Sequence, residues 1–215
     1  LGFTPLQATT AAMVVVGSAA LAGALPRFQK HEVLIREAIT ISALGLATNI
    51  AFSLLAKEVS ERVITTGLAI VLSLAGFSML QKPFREGSER RMSIPALVAL
   101  SLGIGVITGL FGIGGGFVAI PILVLFYNTP LAKATGTSLL IIFLNSSVAF
   151  LFRSGSWNEV DWHLPLIMAL VAITISSLAS RFGSKVSSNS LKQAFAYLLF
   201  AVALFTFVES WFLNL

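Results

Sequence analysis

Apolar runs long enough to cross a membrane follow one another along this chain, separated by short charged clusters, and no other feature limits its fold as strongly. About twenty mostly apolar residues span a hydrocarbon layer of roughly 30 Å. Counted on that basis, spans fall at 9–25, 35–55, 63–80, 94–126, 134–152, 162–178 and 191–208. Charged residues make up 11% of the chain and apolar ones 56%, and mean hydropathy is +0.92. A soluble domain carries roughly 25% charged residues, so this inventory cannot cover a water-facing surface. The expected fold is all-α: a polytopic integral membrane bundle buried against lipid and neighbouring helices. Trp157, Trp162 and Trp211 fall at span ends, where amphipathic rings favour the headgroup level.

Fourteen Lys and Arg against nine Asp and Glu give a basic balance. The charges cluster between apolar runs, which points to lipid headgroups and orientation signals and argues against nucleic acid. The absence of cysteine removes disulfides and thiolate metal sites. Inside the spans there is no Ser/His pair, carboxylate pair or metal-ligand cluster, so neither an intramembrane enzyme nor a cofactor is expected.

The run 94–126 is too long for one crossing, since 33 residues make about 50 Å of straight helix. Five glycines lie within its eight residues 109–116. Lys and Arg accumulate on the cytoplasmic side of membrane proteins. A single crossing divides the fourteen eight to six, whereas a run that enters and returns divides them eleven to three. The expectation is therefore a glycine-broken, discontinuous helix, with 81–93 and 181–192 cytoplasmic and the C-terminus outside. Backbone amides deep in a bilayer must be paired or line a wet cavity. Bare amides at Gly112, Gly114, Gly115 and Gly116, at the N-terminus of the following half-helix, suit an anion. The competing reading is close helix packing by small residues. Pro121 is a candidate kink. A nucleotide loop fails, because Phe117 stands where the last glycine of Gly-x-Gly-x-x-Gly belongs.

Thr129-Pro130 reads as a helix start, with threonine as cap and proline at the first helical position. It is followed by hydroxyls at Thr135, Thr137 and Ser138, and, near the midplane, by Asn145, Ser146 and Ser147. A lone hydroxyl in a membrane helix commonly bonds its own backbone carbonyl. Asn145 wants a partner helix or a ligand, and for Asn49 the same two roles are equally open. An internal repeat is also expected. "TPLQATTAAMVVVGSAALAGALPRF" from Thr4 answers "TPLAKATGTSLLIIFLNSSVAFLFRS" from Thr129, both closing on an arginine, Arg27 and Arg153. Glu32-Val33 answers Glu159-Val160, and the separation stays at 125 to 127 residues. The expected organisation is a first repeat at 1–80, a cytoplasmic linker at 81–93 and a second repeat at 94–215, with the copies inverted. The counterpart of the glycine-broken segment in the first copy is expected upstream of Leu1.

The stretches "GLFGIGGGFVAIPILVLF" and "AKATGTSLLIIFLNSS" resemble the TauE/SafE family of prokaryotic membrane permeases, described as sulfite exporter-like. Gly112, Gly114, Gly115, Gly116 and Pro121 match the family's first element, and Ala134, Thr137, Ser138 and Leu139 its second. In the first copy Ala11 and Ala12 stand where Thr137 and Ser138 stand in the other, leaving Thr9 and Thr10 as the nearby hydroxyls. The resemblance implies a secondary permease of the prokaryotic inner membrane for sulfite, sulfonates or related organic anions. A passive anion channel and a non-transporting assembly subunit are the alternatives. Expected partners are the small anion and membrane lipids, and a homodimer is an assembly open to it.

Overall fold

The computed structural model describes residues 4–81, 93–111, 116–183 and 187–213. Its helices are α1 (Pro5–Gln29), α2 (Ile35–Leu55), α3 (Glu61–Leu80), α4 (Ile94–Phe111), α5 (Gly116–Tyr127), α6 (Leu131–Phe152), α7 (His163–Gly183) and α8 (Ser188–Val208). Among the described residues there is no strand. Seven helices, all but α5, are long and apolar enough to cross a membrane. The twelve residues of α5 reach about 18 Å, roughly half a crossing.

These segments are helical because a backbone out of contact with water must satisfy its own hydrogen bonds, and their outward surfaces are hydrocarbon. Leu170 and Leu74 are 65% and 63% exposed within the protein, a placement suited to lipid. Polar residues mark the ends. The Thr4 hydroxyl accepts from Gln7 N while the Gln7 side chain accepts from Thr4 N, a reciprocal cap on α1. At the other end His31 takes a left-handed conformation (φ 54°), letting Glu32 N donate to Arg27 O and His31 N to Phe28 O. At α6 the structure differs from the sequence expectation. Pro130 is itself the capping position, without a side-chain bond, and Thr129 is buried one residue further out, where its N–H donates to Leu123 O. Left-handed Asn128 (φ 53°) turns the chain there and brings Thr129 back over α5.

Interhelical contacts fix the direction of every helix. Arg27, near the end of α1, reaches Ala132 at the start of α6, and Arg153, just past α6, reaches Thr9 near the start of α1. The two helices are therefore antiparallel. Ser176 and Ser180 of α7 donate to Ala19 O and Gly23 O of α1, so these two run parallel. Lys192 Nζ meets Gln81 O and Thr65 meets Ser210, making α3 and α8 antiparallel. Along α2 and α4, Gly45 faces Ser101 and Gly105 while Asn49 faces Gly109, a parallel pair. Gly116 lies against Ser138 and Ile142, so α5 descends antiparallel to α6 and starts about 10 to 17 Å along it. Thus α4 runs away from the end of the bundle that carries Arg27, and α5 runs back toward it. The residues between them include Gly112, Gly114 and Gly115, and these three lie outside the described residues, as does 82–92 of the linker.

The main core joins Ile41, Met79, Leu97, Leu123, Ile141 and Ala196, drawn from six helices. A second cluster, around Leu68, Leu72 and Leu199, belongs to the α3–α8 pair. Trp211 stacks on Phe207, donates to Thr66 Oγ1 and lies 5.8 Å from the Arg62 guanidinium, which ties the far end of α8 to α3.

Candidate functional site

Two cavities open at opposite ends of the α1–α6 pair. The larger, of 890 Å³, lies between α1, α2, α4 and α6 toward the Arg153 end. Asn49, Ser53, Thr108, Asn145, Ser146 and Arg153 supply its polar lining. Both asparagines thus share one cavity, from facing helices. Each carboxamide offers two donors and an acceptor of two lone pairs. Among the described residues lining it, Arg153 carries the one charge, a positive one. Arg153 Nη1 donates to Thr9 Oγ1 at 2.5 Å.

The smaller cavity, of 390 Å³, lies between α1, α5, α6, α7 and α8 toward the Arg27 end. Its walls are mostly apolar, with Ile120, Leu139 and Phe195 among them, and its polar groups are Arg27, Thr135, Ser176 and Ser180. The three hydroxyls each donate to a helix carbonyl: Thr135 to Leu131 O, Ser176 to Ala19 O and Ser180 to Gly23 O. Arg27 is 9% exposed. Its Nη1 donates to Ala132 O at 2.9 Å and pairs with Glu32 Oε2 at 3.3 Å, and its Nε is buried without a partner.

The remaining expected site residues are placed as follows. Thr137 is fully buried, donates to Lys133 O and accepts from Leu34 N, so it caps the entry to α2. Ser138 donates to Gly116 O at 2.5 Å and fastens the start of α5 to α6. Gly116 is buried where a Cβ would collide with Ile142. Thr10 is fully buried on α1. Pro121 sits inside α5 and is buried. Gly109 belongs to a packing seam, because a Cβ there would lie 2.5 Å from Asn49 O. The two arginines, which the sequence offers only as punctuation closing matched spans, are the charged groups of the two cavities. Their recurrence was the available signal, and Thr108, Ser176 and Ser180 carried none.

With the geometry in place, the chain can be set beside known proteins. Residues 1–206 match the profile of the sulfite exporter TauE/SafE family. The chain belongs to that family. Its relatives include a probable membrane transporter protein of Xylella fastidiosa, 22% identical over 205 residues, covering 92% of this chain and 78% of the relative. A probable membrane transporter protein of Methanocaldococcus jannaschii is 29% identical over 123 residues. That match covers 54% of this chain and 46% of the relative, so the chain spans about half of that protein. A probable membrane transporter protein of Bacillus subtilis is 30% identical over 91 residues, 42% of this chain and 31% of its own length. No solved structure matches. This TauE/SafE member is a membrane protein of a transporter family and not an enzyme. Among the described residues no group of three or more His, Cys, Asp or Glu could hold a metal ion.

Proposed function

We propose that this TauE/SafE protein is a permease for small anions, of the class of sulfite, sulfonates or related organic anions, in a prokaryotic inner membrane. The observation that carries the reading is the 890 Å³ cavity, which brings Asn49, Asn145 and Arg153 together without a carboxylate among its described lining. A carboxamide and a guanidinium donate the bonds that an oxyanion accepts, and the guanidinium fork matches its geometry. The family description names sulfite export, which supports the substrate class. The amides of Gly112, Gly114 and Gly115, expected from the sequence as anion donors, remain proposed ones.

Alternating access is the proposed mechanism. The two cavities lie at opposite ends of the α1–α6 pair, and a hydrogen bond joins the two helices at each end, from Arg27 to Ala132 O and from Arg153 to Thr9 Oγ1. An anion would pass between the Arg153 mouth and the Arg27 mouth by way of Asn145 as the helices rearrange. The eleven-to-three charge division makes the Arg27 end cytoplasmic.

The test is flux into proteoliposomes of sulfite, sulfate, taurine, sulfoacetate and acetate. The expected result is saturable movement of at least one of these, reduced about tenfold by Asn145→Leu, as loss of a charge-assisted hydrogen bond implies. Folded protein that moves none of the five would overturn the reading. Single-channel currents would replace it with a passive channel.

A further inference from the structure

The two cavities are lined by matching positions. Gly23, Arg27, Leu139, Ser176 and Ala179 line the smaller one. Ala149, Arg153, Met13, Ile50 and Ser53 line the larger one. Taken in order, each pair differs by 126 in sequence number, the first two and last two with the larger-numbered member in opposite cavities. One spacing thus relates five wall positions of a cavity at one end to five at the other. Two unrelated hollows would not share it, whereas two halves of one inverted route would.

The arginines are the charged members of this correspondence, and their surroundings differ in an informative way. Arg27 is paired with Glu32, five residues on, and its cavity is the smaller. Arg153 meets the neutral Thr9 hydroxyl and, among the described residues, no carboxylate, and its cavity is the larger. Yet a carboxylate is available to it, since Glu159 follows six residues on, at the end of a 3-10 turn covering Ser154–Glu159. The Glu159 side chain is exposed and its backbone O accepts from Gln7 Nε2 at 2.7 Å. On the Arg27 side, one guanidinium donor, Nε, is buried with no acceptor even while Glu32 is bound. A buried donor without an acceptor is costly, and an oxyanion would supply one.

We propose that Arg27 and Arg153 are equivalent docking residues for a small oxyanion, one at each mouth, and that Glu32 or Glu159 occupies the arginine of whichever mouth is shut. In the state described here Glu32 holds Arg27 beside the smaller cavity, and Arg153 beside the larger one meets no carboxylate among the described residues. In the opposite state Glu159 pairs with Arg153, and Arg27, released from Glu32, faces the anion. At the shut mouth the carboxylate replaces the anion's charge, so that the guanidinium there keeps an ionic partner. The inference rests on the permease reading for the existence of a route, but it is tested by a separate measurement.

Because the chain has no cysteine, single cysteines report each mouth without background. Ala149→Cys lies in the larger cavity and Ala179→Cys in the smaller. Labelling by a polar maleimide is followed in phosphatidylcholine nanodiscs, where no anionic lipid can supply the headgroup. Glu32→Gln should raise the Ala179→Cys rate and lower the Ala149→Cys rate, changing their ratio about tenfold, and Glu159→Gln should move the ratio the opposite way. Methanesulfonate, which does not consume maleimide, should slow both reactions. Arg27→Gln should abolish protection at Ala179→Cys, and Arg153→Gln that at Ala149→Cys, with Arg→Lys retaining part of each. Glutamine variants that shift the ratio the same way or not at all would overturn the proposal. So would protection that is absent, or that survives loss of the arginine. Flux of the same purified variants in proteoliposomes separates the two readings: flux without these labelling changes overturns this inference alone. Labelling changes without flux of any anion overturn the permease reading and leave the two docking sites.

Discussion

At the residue scale, neighbours sort chemically identical side chains into different roles. Gly105 and Gly103 lie on the same helix, yet a Cβ at Gly105 would strike the Thr48 hydroxyl and Gly45 O, while one at Gly103 meets nothing within 4 Å. Gly105→Ala is expected to lower stability by about 1 to 3 kcal/mol, because the obstacle is partly backbone and cannot swing aside. Gly103→Ala should be neutral or stabilising by about 0.5 to 1 kcal/mol, since alanine suits a helix interior better. Thermal unfolding in detergent of the two variants checks the contrast. Thr137→Val should cost about 1 to 3 kcal/mol by stranding Leu34 N, with Thr137→Ser close to wild type. Nothing in "ATGTS" distinguishes Thr137 from Thr135. The first bonds the neighbouring helix entry and the second lines a cavity, and the difference lies entirely in which chain passes beside them.

Elements differ in how much of their surface other helices cover. Between α2 and α4, the seam of Gly45, Ser101, Gly105 and Gly109 lets backbones approach, and Thr48 Oγ1 reaches Leu102 O across it at 3.2 Å. On α7 the contact with α1 runs through Ser176 and Ser180, and the opposite surface, with Leu166, Leu170 and Ile175, is left outward. In a soluble protein Leu170→Lys, at an exposed position, would be nearly silent. Here it should destabilise the inserted helix by about 3 kcal/mol, read as reduced insertion or lower folded yield in membranes. An unchanged yield would show that α7 faces water there. The apolar character of α7 was plain from its residues. Which stripe turns inward was not, because leucine and isoleucine lie on every side and small polar residues alone mark the contact.

For the whole molecule, the hydrogen bonds at helix ends set which loops share a side. Lys192 with Gln81 and Arg27 with Ala132 each join the end of one helix to the start of its antiparallel partner, and the helix directions put both contacts on one side of the bundle. Cysteines replacing Lys30, Gln81 and Lys133 should label from one face of sealed vesicles, and those replacing Glu58 and Ser154 from the other. Labelling of Gln81→Cys and Lys133→Cys from opposite faces would contradict the helix directions described above. The glycine element itself, at Gly112, Gly114 and Gly115, lies outside the described residues, so the anion site assigned to it stands on its sequence and on the half-length of α5 that follows.

The order of residues alone determined that this chain is a bundle of membrane-crossing helices, because length and hydropathy act locally and a backbone without water has few ways to satisfy itself. It also carried the family, through "GLFGIGGGF" and "ATGTSLL". Only the tertiary structure decided that Asn49 and Asn145 line one cavity, that Thr137 caps α2, and that two arginines 126 positions apart line cavities at opposite ends. Those facts depend on the register and tilt at which helices dock, and surfaces made of interchangeable hydrocarbon do not encode either until the small and polar residues of two helices find one another.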